Sequence, residues 1–340
     1  MAEKKVLILS LSKETHDIDP SLQQQPIGFM NMATEEMQEV RRALARIPRF
    51  AGDALDTVAT ERLAGLTNRN YKVAVGDERF VLRIPGEGTS EYINRQHEAV
   101  AARIAAEAGV NSEVLFFDAN DGLMLTRFVD GAATMNGERF NDLGAVARAA
   151  TAFRRMHDCG QSFSTEFDLF RKMDEYLDYL RKKDARIPDG YADVQREAEA
   201  VRAALNARPA ALRPCHCDPL AENFLDTGER IFIIDWEYAG NNDPMWDLGD
   251  VSVEAGFGAE QDAALVEAYF GGKPPAAQVG RMVMYKAMCD LLWTLWGVIQ
   301  VVNENPVDDF WAYAVNRFER CKALMGSAEF DRHLDAVRRG

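Results

Sequence analysis

The stretch Cys215-His216-Cys217-Asp218-Pro219-Leu220-Ala221-Glu222-Asn223-Phe224-Leu225, followed by Ile231-Phe232-Ile233-Ile234-Asp235-Trp236-Glu237, decides the fold. It reads as a short loop, a strand, a turn and a second strand. The turn, Asp226-Thr227-Gly228-Glu229, is rich in turn formers. The second strand is a continuous apolar run of the kind that is buried on both faces. This frame delivers Asp218, Asn223 and Asp235. One carboxylate to accept a hydroxyl proton, with an amide and a second carboxylate to hold magnesium over a nucleotide's phosphates, is the minimal kit for phosphoryl transfer. Magnesium takes hard oxygen ligands, which Asn223 and Asp235 supply. His-x-Asp-x-x-x-x-Asn also fits a surface turn, but a strand ending in Asp-Trp-Glu at hairpin distance favours the catalytic reading.

The 340 residues are enough for two lobes around a sizeable core. With 39 basic against 54 acidic residues, the net charge of −15 argues against a nucleic-acid or anionic-membrane partner, each of which needs a basic footprint. It suits a cationic small-molecule substrate. Five scattered cysteines form no disulfide framework, which points to a reducing cytoplasm. Cys215-His216-Cys217 has no second ligand pair at finger-like spacing, so zinc is not expected. The apolar part of Met1–Ser12 is too short for a signal peptide. No run is expected to span a bilayer; the best candidate, Leu291–Ile299, has Lys286 and Asp290 close by.

Residues 1–36 read as an extension of unknown role, with a polar linker at Gln23–Pro26 and a second possible start near Met32. Thr34 and Met37–Ile47 suggest a short amphipathic helix. The N-terminal lobe is expected over 37–131. Its strands are Asp56–Leu63, Tyr71–Val75 and Arg79–Ile84, then Val114–Asp118 and Leu123–Val129. These make a five-stranded sheet, with one helix over Ser90–Ala108 capped by Thr89 or Ser90 and lined by Ile93, Val100 and Ile104. The loop Gly65-Leu66-Thr67-Asn68-Arg69-Asn70 can turn N–H groups and hydroxyls toward phosphates, and equally fits an ordinary hairpin loop. Arg83 and Glu98 fit a strand cation that grips phosphates and a helix carboxylate that steadies it, or two solvated charges.

Asp130-Gly131 marks the lobe boundary, and 132–340 reads as mainly helical. His157 falls on an apolar face and is expected to be a satisfied core histidine. Further helices are expected over Tyr176–Arg181 and Val194–Leu205. Tyr238–Gly249 is a loop leading into a helix whose Asp247 can brace the catalytic loop. Helices over Gln278–Val302 and Phe310–Met325 follow. Trp293, Trp296 and Gln300 share a face of the first, and Trp311, Tyr313 and Phe318 lie on the second. Rings at this spacing suit a core, or a cage for a quaternary ammonium, which is held by ring faces and carboxylates.

The chain resembles the choline/ethanolamine kinase family, whose fold is similar to protein kinases and aminoglycoside phosphotransferases. The resemblance rests on Leu66–Tyr71, Val81–Gly86, Asn94–Glu98, His216–Asn223, Ile234–Tyr238, Trp293–Trp296 with Gln300, and Tyr313–Phe318, and covers roughly residues 55–325. It implies a bilobal, protein-kinase-like α+β fold, with an antiparallel sheet and one helix in the N-terminal lobe. It implies ATP- and Mg2+-dependent phosphorylation of choline, with Asp218 as base and Asn223 and Asp235 on the metal. Arg83 and Glu98 would fix the phosphates; Thr67, Asn68 and Asn70 would shape the phosphate loop. Tyr238, Glu254, Trp293, Trp296 and Tyr313 would form the choline pocket. Cys217 departs from the family, which commonly has Asn there, with little effect expected on the chemistry. Ethanolamine, an aminoglycoside or another small alcohol, and a non-catalytic binding module on the same fold, are the rival readings. A monomer and a homodimer both fit.

Overall fold

The computed structural model describes residues 27–50, 55, 58–63, 65, 68–86 and 93–340, with side chains in the first helix from Glu35 onward. It divides into two units, Met1–Leu55 and Asp56–Gly340. The first holds helix α1 (Ile27–Ala45), longer at its start than the sequence pattern suggested, and a helical turn at Pro48–Phe50.

The second unit is bilobal. Its N-terminal lobe is an antiparallel sheet of β1 (Ala59–Leu63), β2 (Arg69–Val75), β3 (Glu78–Ile84), β4 (Val114–Phe117) and β5 (Met124–Arg127), in the order β1-β2-β3-β5-β4. Alternation along β3 buries Phe80, Leu82 and Ile84 on one face and puts Arg83 on the other. The register pairs Asn70 with Arg83 and Arg83 with Met124. Helix α2 (Arg95–Glu107) begins later than expected. Its cap is Asn94, whose side chain accepts from the Gln96 and His97 amides at 3.1 and 3.2 Å; Thr89 and Ser90 lie outside the described residues. Of the expected face, Ile93 is buried and Ile104 packs on the core, but Val100 is exposed. Ala99, Ala101, Ala102 and Ala105 are buried, because small side chains let the helix approach closely.

The C-terminal lobe holds β6 (Ala133–Thr134), α3 (Leu143–His157), α4 (Leu169–Lys182), α5 (Tyr191–Ala207), β7 (Arg213–Cys215), β8 (Phe224–Asp226), β9 (Ile231–Ile233) and β10 (Gly240–Asn242). It continues with α6 (Pro244–Glu254), α7 (Ala259–Phe270), α8 (Ala276–Val302), α9 (Phe310–Met325) and α10 (Ala328–Arg339). The hairpin β8–β9 pairs Phe224 with Ile233, and β7 pairs with β10 across the loop between them. Asp243 caps α6, accepting from the Met245 amide at 3.0 Å, and Pro244 stands where no N–H is needed.

Helix α8 is the spine of this lobe. By length and composition it could cross a membrane, contrary to the expectation from Leu291–Ile299, but 78% of its apolar window is buried inside the protein. Its charges are paired: Lys286 with Asp262, and Asp290 with Arg317 and Arg320. It is a core helix.

Candidate active site

Two backbone amides position the catalytic loop. Asp247, 1% exposed near the start of α6, accepts from His216 N at 2.7 Å and Cys217 N at 2.9 Å. Its Oδ2 also lies 3.0 Å from His157 Nε2, while His157 Nδ1 lies 2.9 Å from the Tyr269 hydroxyl. The bracing role read for Asp247 and the satisfied core histidine are both present. Cys217 takes a left-handed backbone (φ +68°), unusual for a residue with a Cβ. The two bonds to Asp247, and Trp246 Nε1 donating to the Cys217 carbonyl at 3.3 Å, hold it there.

The His216 ring donates from Nε2 to the Ile234 carbonyl at 2.9 Å, leaving Nδ1 to accept from Asp218 N at 3.4 Å. Burial lowers its pKa below the ordinary 6.5, which suits this neutral tautomer. The ring therefore ties the loop before Asp218 to the segment before Asp235. Ile234 N donates to the Asn223 carbonyl at 2.9 Å, and the Asn223 side-chain amide donates to the Asp218 carbonyl at 3.2 Å. The Asn223 amide oxygen is then the atom suited to a metal. Asp235 lies beyond the end of β9, where the sequence placed it on the strand, and has a left-handed backbone (φ +69°). Trp236 anchors that bend by donating to the Ile233 carbonyl at 2.9 Å.

Arg83 and Glu98 form a buried ion pair. Arg83 also lies 3.4 Å from Asp235 and donates to the Gly122 carbonyl at 3.2 Å. Burial works against its cation, but Glu98 and Asp235 outweigh it and hold the guanidinium above its ordinary value. Two residues missing from the sequence-derived set join the cluster. Arg95 pairs with Glu98 at 2.6 Å and with Glu237 at 3.3 Å, and Glu237 accepts from Asn68 at 3.4 Å. Glu98, Asp235 and Glu237 present oxygens within 4.8 Å of one another. Burial pushes Asp235 and Glu237 above the ordinary carboxylate range, against the pull of Arg83 and Arg95. The three carboxylates offer the all-oxygen donor set that a hard cation takes. Thr67 lies outside the described residues, and Asn70 sits beside Arg83 in the sheet register.

The remaining predicted residues gather from the turn before β10 and from α6, α8 and α9. Tyr238 meets Trp293 edge to face at 5.8 Å, Trp293 meets Trp296 at 6.4 Å, and Trp296 meets Tyr313 at 5.7 Å. Phe310, unremarked as a site residue in the sequence, packs on Trp296 at 5.6 Å. Trp293 is buried, whereas Tyr238, Trp296 and Tyr313 are half-buried. Arg317 stacks on the Tyr313 ring at 4.6 Å and forks onto Glu254 with contacts of 2.5 and 2.7 Å. Burial raises the pKa of the Asp218 carboxyl well above the usual range, reinforced by Glu254, Asp235 and Glu237 and opposed by Arg317. The aromatic row, its carboxylates and Asp218 thus belong to one electrostatic neighbourhood.

The sequence profile of the Phosphotransferase enzyme family (APH) matches residues 58–279. The chain belongs to the choline/ethanolamine-kinase-like branch of this family. A choline/ethanolamine kinase family protein from Mesorhizobium loti is 56% identical, with a TM-score of 0.82 over 89% of this chain and 99% of that one. Protein LicA of Haemophilus influenzae is 30% identical over 77% of this chain and 78% of its own length. The choline kinase LicA from Streptococcus pneumoniae, 24% identical, shares the fold with a TM-score of 0.71 over 86% of this chain and all of that one. The branch defines a phosphotransferase acting on a small alcohol. Family membership carries ATP-dependent phosphotransfer, generally with a divalent metal.

Proposed function

We propose that this enzyme transfers the γ-phosphoryl group of ATP, with Mg2+, to the hydroxyl of choline. The observation that carries this reading is the row Tyr238–Trp293–Trp296–Tyr313 beside Glu254, in electrostatic reach of Asp218. Ring faces and carboxylates suit a cationic head that cannot donate an N–H bond. A neutral polyhydroxylated sugar would have less use for rings that offer few polar partners.

In this reading Asp218 accepts the hydroxyl proton, and its raised pKa makes it a stronger base than a solvated aspartate. The Asn223 amide oxygen and Asp235 would hold magnesium; the all-oxygen cluster beside them fits a hard dication. When bound, the ion neutralises charge on the transferring phosphoryl group. Arg83, held in place by Glu98, grips phosphate oxygens, while Asn68 and Asn70, with Thr67, shape the phosphate loop. The nucleotide lies against the lobe proposed over 37–131, and the alcohol against 132–340. All five cysteines are unpaired, which suits the reducing cytoplasm expected for such an enzyme.

The test is ADP release with Mg-ATP and a panel of choline, ethanolamine and aminoglycosides. Choline is expected to give the highest kcat/KM. Preferential turnover of an aminoglycoside overturns the reading.

A further inference from the structure

Asp250 lies one helical turn before Glu254 on α6 and is 0% exposed. That spacing puts both carboxylates on one face. Cys289 on α8 sits between them, its Sγ 3.0 Å from Asp250 Oδ1 and 4.0 Å from Glu254 Oε1. Trp293 and Trp296 follow Cys289 at helical spacing, so the acidic pair of α6 meets the same face of α8 that carries the aromatic row. The two carboxylates are treated differently. Glu254 is forked by Arg317, whereas among the described residues Asp250 Oδ2 has no hydrogen-bond partner. Trp293 Nε1 and Arg317 Nε are likewise buried without one. A buried acceptor left unpaired is unfavourable, and an ionised one strongly so. Burial pushes the Asp250 carboxyl well up, and the charges of Glu254 and Asp218 add to the effect.

We propose that Asp250 is a further specificity-determining residue of this pocket: its unpaired oxygen accepts an N–H from an ammonium head, so the site reads how many hydrogens the substrate nitrogen carries. The inference rests on the cationic alcohol proposed above. The rings hold methyl groups, Glu254 and Arg317 set the local charge, and Asp250 serves heads that retain an N–H. A quaternary head binds through the rings and leaves that oxygen without a donor.

The experiment is steady-state ADP release with Mg-ATP and four alcohols: choline, N,N-dimethylaminoethanol, N-methylaminoethanol and ethanolamine. Wild type is compared with Asp250→Leu, which removes the acceptor, and Asp250→Asn, which keeps one. In Asp250→Leu the ratio of ethanolamine KM to choline KM is expected to rise by about tenfold or more, the factor a charge-assisted hydrogen bond confers. Asp250→Asn recovers part of that ratio, and the Mg-ATP KM stays unchanged in both. A ratio that moves less than about threefold, roughly half the logarithm of that factor, overturns the role and marks Asp250 as structural. Should both variants fail to fold, wild type decides. Ethanolamine kcat/KM within about a hundredfold of choline, two such decades of discrimination, supports the role, and a larger deficit overturns it. Absence of turnover with all four alcohols instead sinks the cationic-alcohol reading itself.

Discussion

Replacing Asp247 with Asn tests how the catalytic loop is held without touching the reacting groups. The carboxylate serves three donors: His216 N, Cys217 N and His157 Nε2. Asparagine keeps one oxygen. If it stays toward His216 and His157, the Cys217 amide faces an NH2 group and loses its acceptor. A buried unsatisfied donor costs about 1–3 kcal/mol, and two bonds to an ionised carboxylate become weaker neutral ones. The expected loss is about 2–4 kcal/mol of stability, or a fall in Tm on the order of 3–6 °C for a chain of 340 residues. Function should suffer more. Cys217 is held in its left-handed conformation by these bonds, and Asp218 follows it directly. A displacement of about 1 Å at a positioned base can lower kcat about a hundredfold. The assay pairs a thermal melt with steady-state kinetics well below the melting range. The Mg-ATP KM should stay near wild type, because Arg83 and Glu98 lie on other elements. A variant that loses stability while keeping wild-type kcat would falsify the bracing argument.

Glu98→Gln should raise the Mg-ATP KM about tenfold, equivalent to ~1.4 kcal/mol, because Arg83 and Arg95 lose a shared buried partner; an unchanged KM with choline and nucleotide both saturable contradicts that role. Trp296→Ala should raise the choline KM by roughly 2–30-fold, matching ~0.5–2 kcal/mol for a lost ring face, with little change for Mg-ATP; equal effects on both substrates would mark the ring as packing. His216 gives a pH signature. Its folded pKa lies below the ordinary 6.5, so its neutral form contributes stability above that value, and this is lost as pH falls toward the folded pKa. Denaturant titrations should therefore show the stability gap between wild type and His216→Gln narrowing as pH falls below 6.5, and a gap that widens there contradicts the burial argument.

Much of the site was legible because its parts are close in sequence. Asp218, Asn223 and Asp235 flank one hairpin, where turn chemistry and an apolar run fix their placement. Arg83 and Glu98 could be paired because phosphoryl-transfer lobes set a strand cation against a helix carboxylate. Other features depend on residues far apart in the chain. Arg95 meets Glu237 across 142 positions, and Arg317 meets Glu254 across 63, so no local pattern marks either contact. Strands β6, β7 and β10, two or three residues each, are too short to carry a periodic signal. The start of α2 was misplaced because Thr89, Ser90 and Asn94 are all good caps, and only the structure chooses Asn94. Asp250 stood in the sequence as one acid among many; its burial and its unpaired oxygen come from the packing of α6 on α8.

The central claim is that Asp218 takes the proton of an alcohol while Asn223 and Asp235 hold the metal-bound nucleotide. The most direct measurement is 31P NMR of the full chain with Mg-ATP and choline, for wild type and Asp218→Asn. The account predicts a growing phosphomonoester resonance matched by ADP in wild type. In Asp218→Asn that resonance should be absent, with Mg-ATP binding retained. Phosphocholine formed by Asp218→Asn at the wild-type rate, or none formed by wild type, would contradict it.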